Sequence, residues 1–164
     1  MMRARIRIGV ISDTHGLLRP EATAFLAGSD YIVHGGDIGK QAILDALAAI
    51  APLTVVRGNN DKGPWADALP ETAVLDVGGV RIYAVHDIGL LQVDPVREGF
   101  QVVVAGHSHK SLVEQRGEVL YLNPGSAGPR RFSLPITAAE IWIEDGVATA
   151  TIAPLLAHTL SPNT

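Results

Sequence analysis

Short apolar runs rich in β-branched residues recur through the chain, and most of them end at a glycine, an aspartate or a histidine. The runs with the strongest pattern are IRIGVI, YIV, LTVV, VRIYAV and QVVVA. They are almost continuously apolar, which is typical of parallel strands covered on both faces. Helical patterns separate several of them, so the sequence predicts an α/β domain built around parallel strands.

The pattern changes from one half of the chain to the other. The first half predicts strands at 5–11, 30–34 and 53–57, with helices over 20–28 and 40–50. The second half predicts a hairpin of 72–77 and 80–85, a helix over 88–98, strands at 101–105, 111–115 and 118–123, and a last hairpin of 135–143 and 147–153. We expect one domain over residues 1–164, with two mixed sheets face to face, helices outside, and a tail that frays from about residue 154.

The polar breaks after these runs supply oxygen and nitrogen donors. In open α/β folds ligands gather at the carboxyl ends of strands, so donors far apart in the chain can converge there. Carboxylate and imidazole suit Mn, Fe, Zn or Ni, and the absence of cysteine excludes a thiolate-bound structural zinc. The set is sufficient for two divalent ions that share a carboxylate, and comprises Asp13, His15, Asp37, Asn59, His86, His107 and His109.

Two further histidines and one aspartate have simpler interpretations. A single histidine at a strand end is usually structural, and we expect His34 to hydrogen-bond or orient a ligand rather than to be one. His158 is expected to be solvated, and Asp61 to shape the loop of Asn59 and Asn60. The five polar segments taken together are poorly explained by coincidence.

Composition and charge limit the classes of partner that the chain is expected to bind. The net charge is −4 and only 5% of the residues are aromatic, so the chain lacks the basic stripe and stacking surface of a general nucleic-acid binder. No apolar stretch approaches the roughly 18 residues of a membrane span. The basic and apolar start is interpreted as a first strand, not a signal peptide. The absence of cysteine is compatible with the cytoplasm, which is the expected location.

The order D-x-H, G-D, G-N-x-D, H and G-H-x-H resembles the calcineurin-like metallophosphoesterase superfamily, in particular its small bacterial and archaeal phosphodiesterase branch. The resemblance extends from Arg5 to about Ile152 and includes the segment Asn123-Pro124-Gly125-Ser126. It implies a four-layer α/β/β/α sandwich and two divalent ions, manganese first, with Ni, Fe or Zn as alternatives. It assigns Asp13, His15 and His109 to one ion, Asn59, His86 and His107 to the other, and Asp37 to both.

The implied activity is that of a metal-dependent phosphoric ester hydrolase. Two ions can acidify a shared water, so that a metal-bridging hydroxide attacks phosphorus in line with the leaving oxygen. Asp37, Asn59 and His107 are the expected catalytic residues, and Asn59, Asn60 and Arg130 the expected substrate contacts, with Arg131 as an alternative to Arg130. The expected substrate is a small phosphodiester.

Two positions depart from the family pattern. Relatives with strong phosphatase activity have histidine where this chain has Asn60, and an amide cannot deliver a proton near neutral pH. This favours phosphodiesters over unactivated monoesters. Asp87 stands where glycine is frequent. It could stabilise the neighbouring imidazole or crowd the site, but a cap for the following helix is the favoured interpretation.

Two other functions remain open at this point. One eukaryotic retromer subunit resembles the family yet serves mainly as a binding module, which makes a non-catalytic metal-binding scaffold the main alternative. Its contact surface would be an apolar patch of Leu90, Leu91, Val93 and Val96, which could also be core or a homo-oligomer contact. A nuclease would use the same chemistry, but the acidic charge balance disfavours it.

Overall fold

The computed structural model describes residues 5–131 and 133–156, which form two mixed five-stranded sheets with short helices. The elements in chain order are β1 (Arg5–Ile11), α1 (Pro20–Leu26), β2 (Tyr31–His34), α2 (Gln41–Ala48), β3 (Leu53–Val55), α3 (Pro64–Asp67), β4 (Thr72–Val77), β5 (Val80–Val85), a 3-10 helix (Ile88–Leu90), α4 (Pro95–Glu98), β6 (Val102–Val104), β7 (Leu112–Arg116), β8 (Val119–Asn123), β9 (Thr137–Glu144) and β10 (Val147–Pro154).

Each sheet contains three neighbouring parallel strands. In the first sheet the order is β10-β9-β1-β2-β3, where β1, β2 and β3 run parallel, β9 pairs antiparallel with β1, and β10 pairs antiparallel with β9. In the second it is β4-β5-β6-β8-β7, where β5, β6 and β8 run parallel and the outer strands β4 and β7 antiparallel. The continuous apolar runs predicted mixed sheets with parallel strands, and this prediction is confirmed.

The main core lies between the two sheets. Ile8 and Ile141 from the first sheet and Ile82 and Val104 from the second belong to one fully buried cluster. Alternate residues of the same strands face outward: Ile11 packs with α1 and α2, and Val103 belongs to an outer cluster on the second sheet. Because both faces of these central strands are covered, their runs are apolar without alternation. This is the layered α/β sandwich expected from the sequence.

The segment 88–98 is not the single helix that we expected. It contains the 3-10 helix Ile88–Leu90 and the separate four-residue helix α4. Asp87 and Asp94 each cap the start of one of them. Pro95 explains the break, because a residue before proline is pushed out of the helical region, and Asp94 has φ −90° and ψ 107°.

The last hairpin agrees with the predicted strands. The last hairpin turns at Asp145 and Gly146, both with positive φ, as a tight turn of this kind requires. Strand β10 pairs as far as Pro154, and Leu155 still donates a backbone hydrogen bond to Ile136. The rest of the tail expected to fray, with His158, lies outside the described residues. Within the described ranges, no helix is long and apolar enough to cross a membrane.

Candidate metal centre

The predicted ligand segments converge because the parallel strands end in register. In the first sheet the last paired positions are Ile11, His34 and Val55 on β1, β2 and β3. In the second sheet they are Ala84, Val104 and Leu122 on β5, β6 and β8. The loops that follow these strands therefore leave the two packed sheets at one common edge, as expected for open α/β folds.

The backbone at these loops adopts a conformation that ordinary residues rarely use. Asp13, His15, Asp37, His107 and His109 all have positive φ, between 45° and 72°. Such non-glycine conformations tend to cluster at functional sites, where the surrounding structure holds them in place. They let side chains one residue apart, at 13 and 15 or at 107 and 109, turn toward the same point.

The first cluster consists of Asp13, His15 and His109. The Nε2 atoms of the two histidines are 3.2 Å apart, and Asp13 Oδ1 lies 3.7 Å from the Nε2 of His15 and 3.4 Å from that of His109. The other oxygen of Asp13, Oδ2, accepts hydrogen bonds from the Ser12 hydroxyl and the His107 backbone N–H. Asp13 is fully buried, and no described donor reaches its Oδ1.

The second cluster consists of Asn59, His86 and His107. Asn59 Oδ1 lies 3.0 Å from His86 Nε2 and 3.1 Å from His107 Nδ1. The carbonyl of Gly35 contacts His86 Nδ1 at 2.7 Å and can only accept, so Nδ1 carries the hydrogen. The lone pair of Nε2 on a neutral His86 therefore points at the site, oriented from behind as in many metal-bound histidines.

Asp37 lies between the two clusters. Its Oδ2 is 3.2 Å from His86 Nε2 and 3.7 Å from His15 Nε2, so one carboxylate oxygen faces a histidine of each cluster. Asn60 holds this carboxylate with two hydrogen bonds, from its backbone N–H to Oδ1 and from its side-chain amide to Oδ2. Asn60, which we expected to contact substrate, thus contacts Asp37.

Asp61 and His34 fix the loops that bear these donors. The buried carboxylate of Asp61 accepts three backbone N–H bonds, from Ile38, Gly39 and Gly58, and so joins the 36–39 loop to the 58–61 loop. His34 is fully buried, accepts the Gly36 N–H at Nδ1 and contacts the Thr14 hydroxyl through Nε2. The structure therefore places both residues behind the ligands, as expected.

Glycine is needed where these loops touch. A Cβ at Gly58 would lie 2.1 Å from the backbone nitrogen of Asp37, which is closer than any real contact. A Cβ at Gly106 would lie 2.1 Å from the Ser12 hydroxyl. The glycines in the G-N-x-D and G-H-x-H motifs are thus explained by the close approach of backbones.

The segment Asn123–Ser126 also supports the site, in a way that the sequence pattern did not specify. The amide of Asn123 donates to the Gly106 carbonyl and to the Ser108 hydroxyl. The hydroxyl of Ser126 donates to the Asp13 carbonyl. This segment therefore ties the loop of His107 and His109 to the loop of Asp13.

The electrostatics of the site favour negative carboxylates beside imidazoles. Burial alone would raise the pKa of Asp37, but hydrogen bonds from His86 and Asn60 and the nearby positive charges outweigh burial and bring this pKa well below its usual range. The pKa of Asp13 is also lowered, because the nearby imidazole of His15 and the hydrogen bond from Ser12 outweigh its burial. His86 shows the reverse: burial opposes its protonation, yet hydrogen bonds to Asp37 and Gly35 raise its pKa.

His109 differs from His86. Burial lowers its pKa, the charge of Asp13 opposes this, and the charges of Arg131 and His15 lower it further. The positive charge of Arg131 therefore acts on His109 in the first cluster. Arg130 is exposed, and its expected role in substrate binding stays a prediction.

The arrangement fits divalent cations. The donor atoms of Asp13, His15 and His109 lie within 4.8 Å of one another. Asp37 forms a second group of this kind with His86 and His107 of the second cluster. Lone pairs of Asp37, Asn59 and His86 converge without a hydrogen between them when the imidazole is neutral. Such a convergence of acceptors is stabilised by a cation, and its oxygen and nitrogen set suits Mn, Fe, Ni or Zn.

Asp87 has the role that we favoured from the sequence. Its Oδ1 accepts the Gly89 N–H and caps the 3-10 helix. Its Oδ2 lies 3.8 Å from His107 Nε2, on the side of the ring away from Asn59. Asp87 therefore faces His107, not the neighbouring His86.

Two packed mixed sheets with paired aspartate and histidine clusters at a shared edge define a candidate dinuclear metal protein. A family model for the calcineurin-like phosphoesterase superfamily domain matches residues 6–146. A probable metallophosphoesterase from Methanocaldococcus jannaschii is 33% identical over 151 residues, covering 84% of this chain and 76% of that protein. The chain belongs to the calcineurin-like phosphoesterase superfamily.

Solved structures share the fold. An archaeal phosphodiesterase aligns with a TM-score of 0.73 at 20% identity, over 90% of this chain and 100% of that one. Vacuolar protein sorting 29 from Cryptosporidium parvum aligns with a TM-score of 0.74 at 20% identity, over 91% and 97% of the two chains. The resemblance predicted from the motifs is confirmed at the level of family and fold.

Proposed function

We propose that this protein is a phosphodiesterase that uses two divalent metal ions. Asp13, His15 and His109 would hold one ion, and Asn59, His86 and His107 the other. The observation that supports this most directly is the position of Asp37, whose Oδ2 lies 3.2 Å from His86 Nε2 and 3.7 Å from His15 Nε2. A carboxylate in that place can be shared between two ions.

Two ions bound by these residues would supply an acidified water at neutral pH and would neutralise charge on the phosphate. The chain's own residues position the reactants. The Asn59 amide, whose oxygen faces both histidines of the second cluster, keeps its NH₂ available to a phosphate oxygen. Asp37 and Asp13 act as carboxylates, since their pKa values are lowered, and neither is needed as a nucleophile. No covalent enzyme intermediate is expected.

Phosphodiesters with good leaving groups are the favoured substrates. Asn60 cannot protonate a leaving oxygen, and its amide is already bonded to Asp37 Oδ2 at 3.1 Å. The leaving alcohol must then depart without help from this position. The proposal therefore predicts a pronounced dependence of rate on leaving-group pKa, and a flat dependence would contradict it.

The experiment is hydrolysis of bis-p-nitrophenyl phosphate and p-nitrophenyl phosphate by chelator-stripped protein, with Mn, Ni, Fe, Zn or Mg added back. Manganese is the ion that we expect to restore most activity. Metal-dependent turnover of the diester, lost in Asp37→Ala and His107→Ala, supports the proposal. Folded protein that binds these ions but turns over neither substrate rejects it.

A non-catalytic scaffold is the second candidate. Leu90 and Val96 are strongly exposed apolar side chains, and Leu90 lines a cavity beside the candidate metal centre, whereas Leu91 and Val93 pack against the outer cluster. Only part of the suspected patch is therefore free to contact a partner. The complete set of seven donors favours the enzyme.

A further inference from the structure

Two cavities adjoin the candidate metal centre, and His107 and Asp87 line both of them. The larger has a volume of about 560 Å³ and a mixed wall, whose polar side chains include Arg57, Lys62 and Gln92. The smaller has a volume of about 360 Å³ and an apolar wall. Its apolar lining comes from Val103, Ala105, Leu112, Tyr121 and Leu122.

The turn at residues 87–90 separates the two cavities. Leu90 lines the larger cavity and Ile88 lines the smaller one. Both side chains are left uncovered, with 67% of Leu90 and 44% of Ile88 exposed. The turn itself is held in place, because Asp87 caps it and Leu91 packs into the outer cluster. Two apolar side chains presented by a fixed turn beside a polar site are typical of a ligand-binding surface.

The charges in the two cavities differ. In the larger one Arg57 is paired with Glu71 at 2.8 Å, whereas Lys62 makes no hydrogen bond or ion pair with the described residues. Lys62 is therefore available to a polar group of a ligand. In the smaller one the guanidinium of Arg116 stacks over Tyr121, 4.6 Å from the ring centroid, and also bonds Glu114. Its charge is already engaged. Lys110 also lines the smaller cavity, but most of the wall of this cavity is apolar.

We propose that the turn 87–90 is a partition that directs the two ester arms of a phosphodiester into separate cavities. The apolar or aromatic arm contacts Ile88 in the smaller cavity, and the polar arm contacts Leu90 and Lys62 in the larger. This inference rests on the proposed function and specifies its substrate class, a diester with one apolar and one polar arm. A monoester, with a single arm, fills only one cavity.

The test compares two substrates with the same leaving group, methyl p-nitrophenyl phosphate and phenyl p-nitrophenyl phosphate. A single aryl arm should occupy the apolar cavity, so Ile88→Ala lowers kcat/KM for both about tenfold. Only the diaryl substrate fills both cavities, so Leu90→Ala lowers kcat/KM about tenfold for it alone. Val96→Ala is the matched control, because Val96 is 57% exposed yet lines neither cavity.

Active protein whose Ile88→Ala and Leu90→Ala variants match the Val96→Ala control on both substrates would overturn the partition. That result would favour a protein partner as the ligand of these exposed side chains. A Leu90→Ala effect of equal size on both substrates would also overturn it, because the two arms would then not be sorted.

A second measurement separates failure of the partition from failure of the proposed activity. Methyl NMR spectra are recorded while metal-free and Mn-loaded proteins are titrated with diphenyl phosphate, using zinc in place of manganese where line broadening prevents observation. Shifts at the methyl groups of Ile88 and Leu90, without shifts at Val96, support the partition even in a protein that hydrolyses nothing. Absence of shifts at both residues in the loaded protein overturns it.

Discussion

The side-chain amide of Asn60 donates a hydrogen bond to Oδ2 of Asp37, the carboxylate oxygen that faces a histidine of each cluster. The backbone N–H of Asn60 binds the other oxygen of the same carboxylate. A residue that departs from the family pattern therefore orients the bridging candidate. Residues that orient a metal ligand contribute to affinity through the ligand, not through the substrate.

We predict that Asn60→Ala weakens binding of Mn about tenfold, because Asp37 loses one of the bonds that orient it. The slope of log kcat against leaving-group pKa should not change, because asparagine donates no proton to the leaving group. Calorimetric titration with Mn and hydrolysis of a series of aryl methyl phosphates measure the two quantities. Gln92→Ala is the control, since Gln92 lines the larger cavity without a described bond to Asp37.

Unchanged Mn affinity together with a steeper leaving-group slope would contradict this role. It would show instead that the amide of Asn60 acts on the substrate, as the sequence alone suggested.

Arg131 is predicted to affect the first cluster more than Arg130 does. Its positive charge contributes to the lowered pKa of His109, so Arg131→Ala should raise that pKa in the metal-free protein. For the proposed activity of the metal-loaded protein, we expect KM for a diester to rise about tenfold, because the candidate site loses a positive charge that could bind phosphate. NMR titration of the His109 ring and steady-state kinetics test the two effects.

Arg130→Ala provides the matched comparison, because it removes the same charge one residue earlier in the chain. Equal shifts of the His109 pKa in the two variants, or a larger KM effect from Arg130→Ala, would contradict this prediction and favour Arg130 as the substrate contact.

Asp61 is predicted to be important for stability as well as for metal binding. In Asp61→Ala the backbone N–H groups of Ile38, Gly39 and Gly58 lose their acceptor. The bonds from Ile38 and Gly58 are buried, and each unsatisfied buried donor costs about 1–3 kcal/mol. The free energy of unfolding should therefore fall by about 3 kcal/mol or more. Urea unfolding in the presence of chelator measures it without a contribution from bound metal.

Asp45→Ala is the control, because its carboxylate makes an exposed bond to Gln41 within one helix. A change within about 0.5 kcal/mol is expected there. A similar small change for Asp61→Ala would mean that water or a rearranged loop replaces the lost acceptor.

Strand ends could be predicted from the sequence because burial on both faces leaves continuous apolar runs, and the candidate ligands follow these runs directly. The family resemblance implied a place for Asp37 between the two clusters, but its distances to His86 and His15 depend on the relative placement of the two sheets. The direction of the Asn60 amide and the field of Arg131 at His109 depend on side-chain placement that no spacing encodes. The division of 88–98 was missed because the apolar pattern was given more weight than Asp94-Pro95, which interrupts a helix.

The last prediction concerns His34, which lies behind the site. Burial lowers the pKa of His34 from 6.5 to about 4. Its Nδ1 accepts the Gly36 N–H, so Nε2 carries the hydrogen and donates to the Thr14 hydroxyl, which in turn donates to the Ile38 carbonyl. Protonation of Nδ1 would break the first of these bonds inside a fully buried site.

Between pH 6.5 and about 4 the unfolded chain binds a proton at His34 that the native protein does not. The contribution of this group to stability is therefore fully present above pH 6.5 and falls as the pH drops to about 4, by about 3 kcal/mol in total. Below that pH both states are protonated and the loss ends. Urea unfolding between pH 4 and 7.5, in chelator, should show this decline.

The variant His34→Gln isolates the contribution, because glutamine can accept one hydrogen bond and donate another but does not titrate in this range. We expect it to be less stable than the native sequence at pH 7, with a shallower fall toward pH 4. The other groups are the same in both proteins, so the difference between their curves of stability against pH reports the contribution of His34. Parallel curves over the whole range would show that His34 takes up no proton on unfolding, and would contradict its lowered pKa.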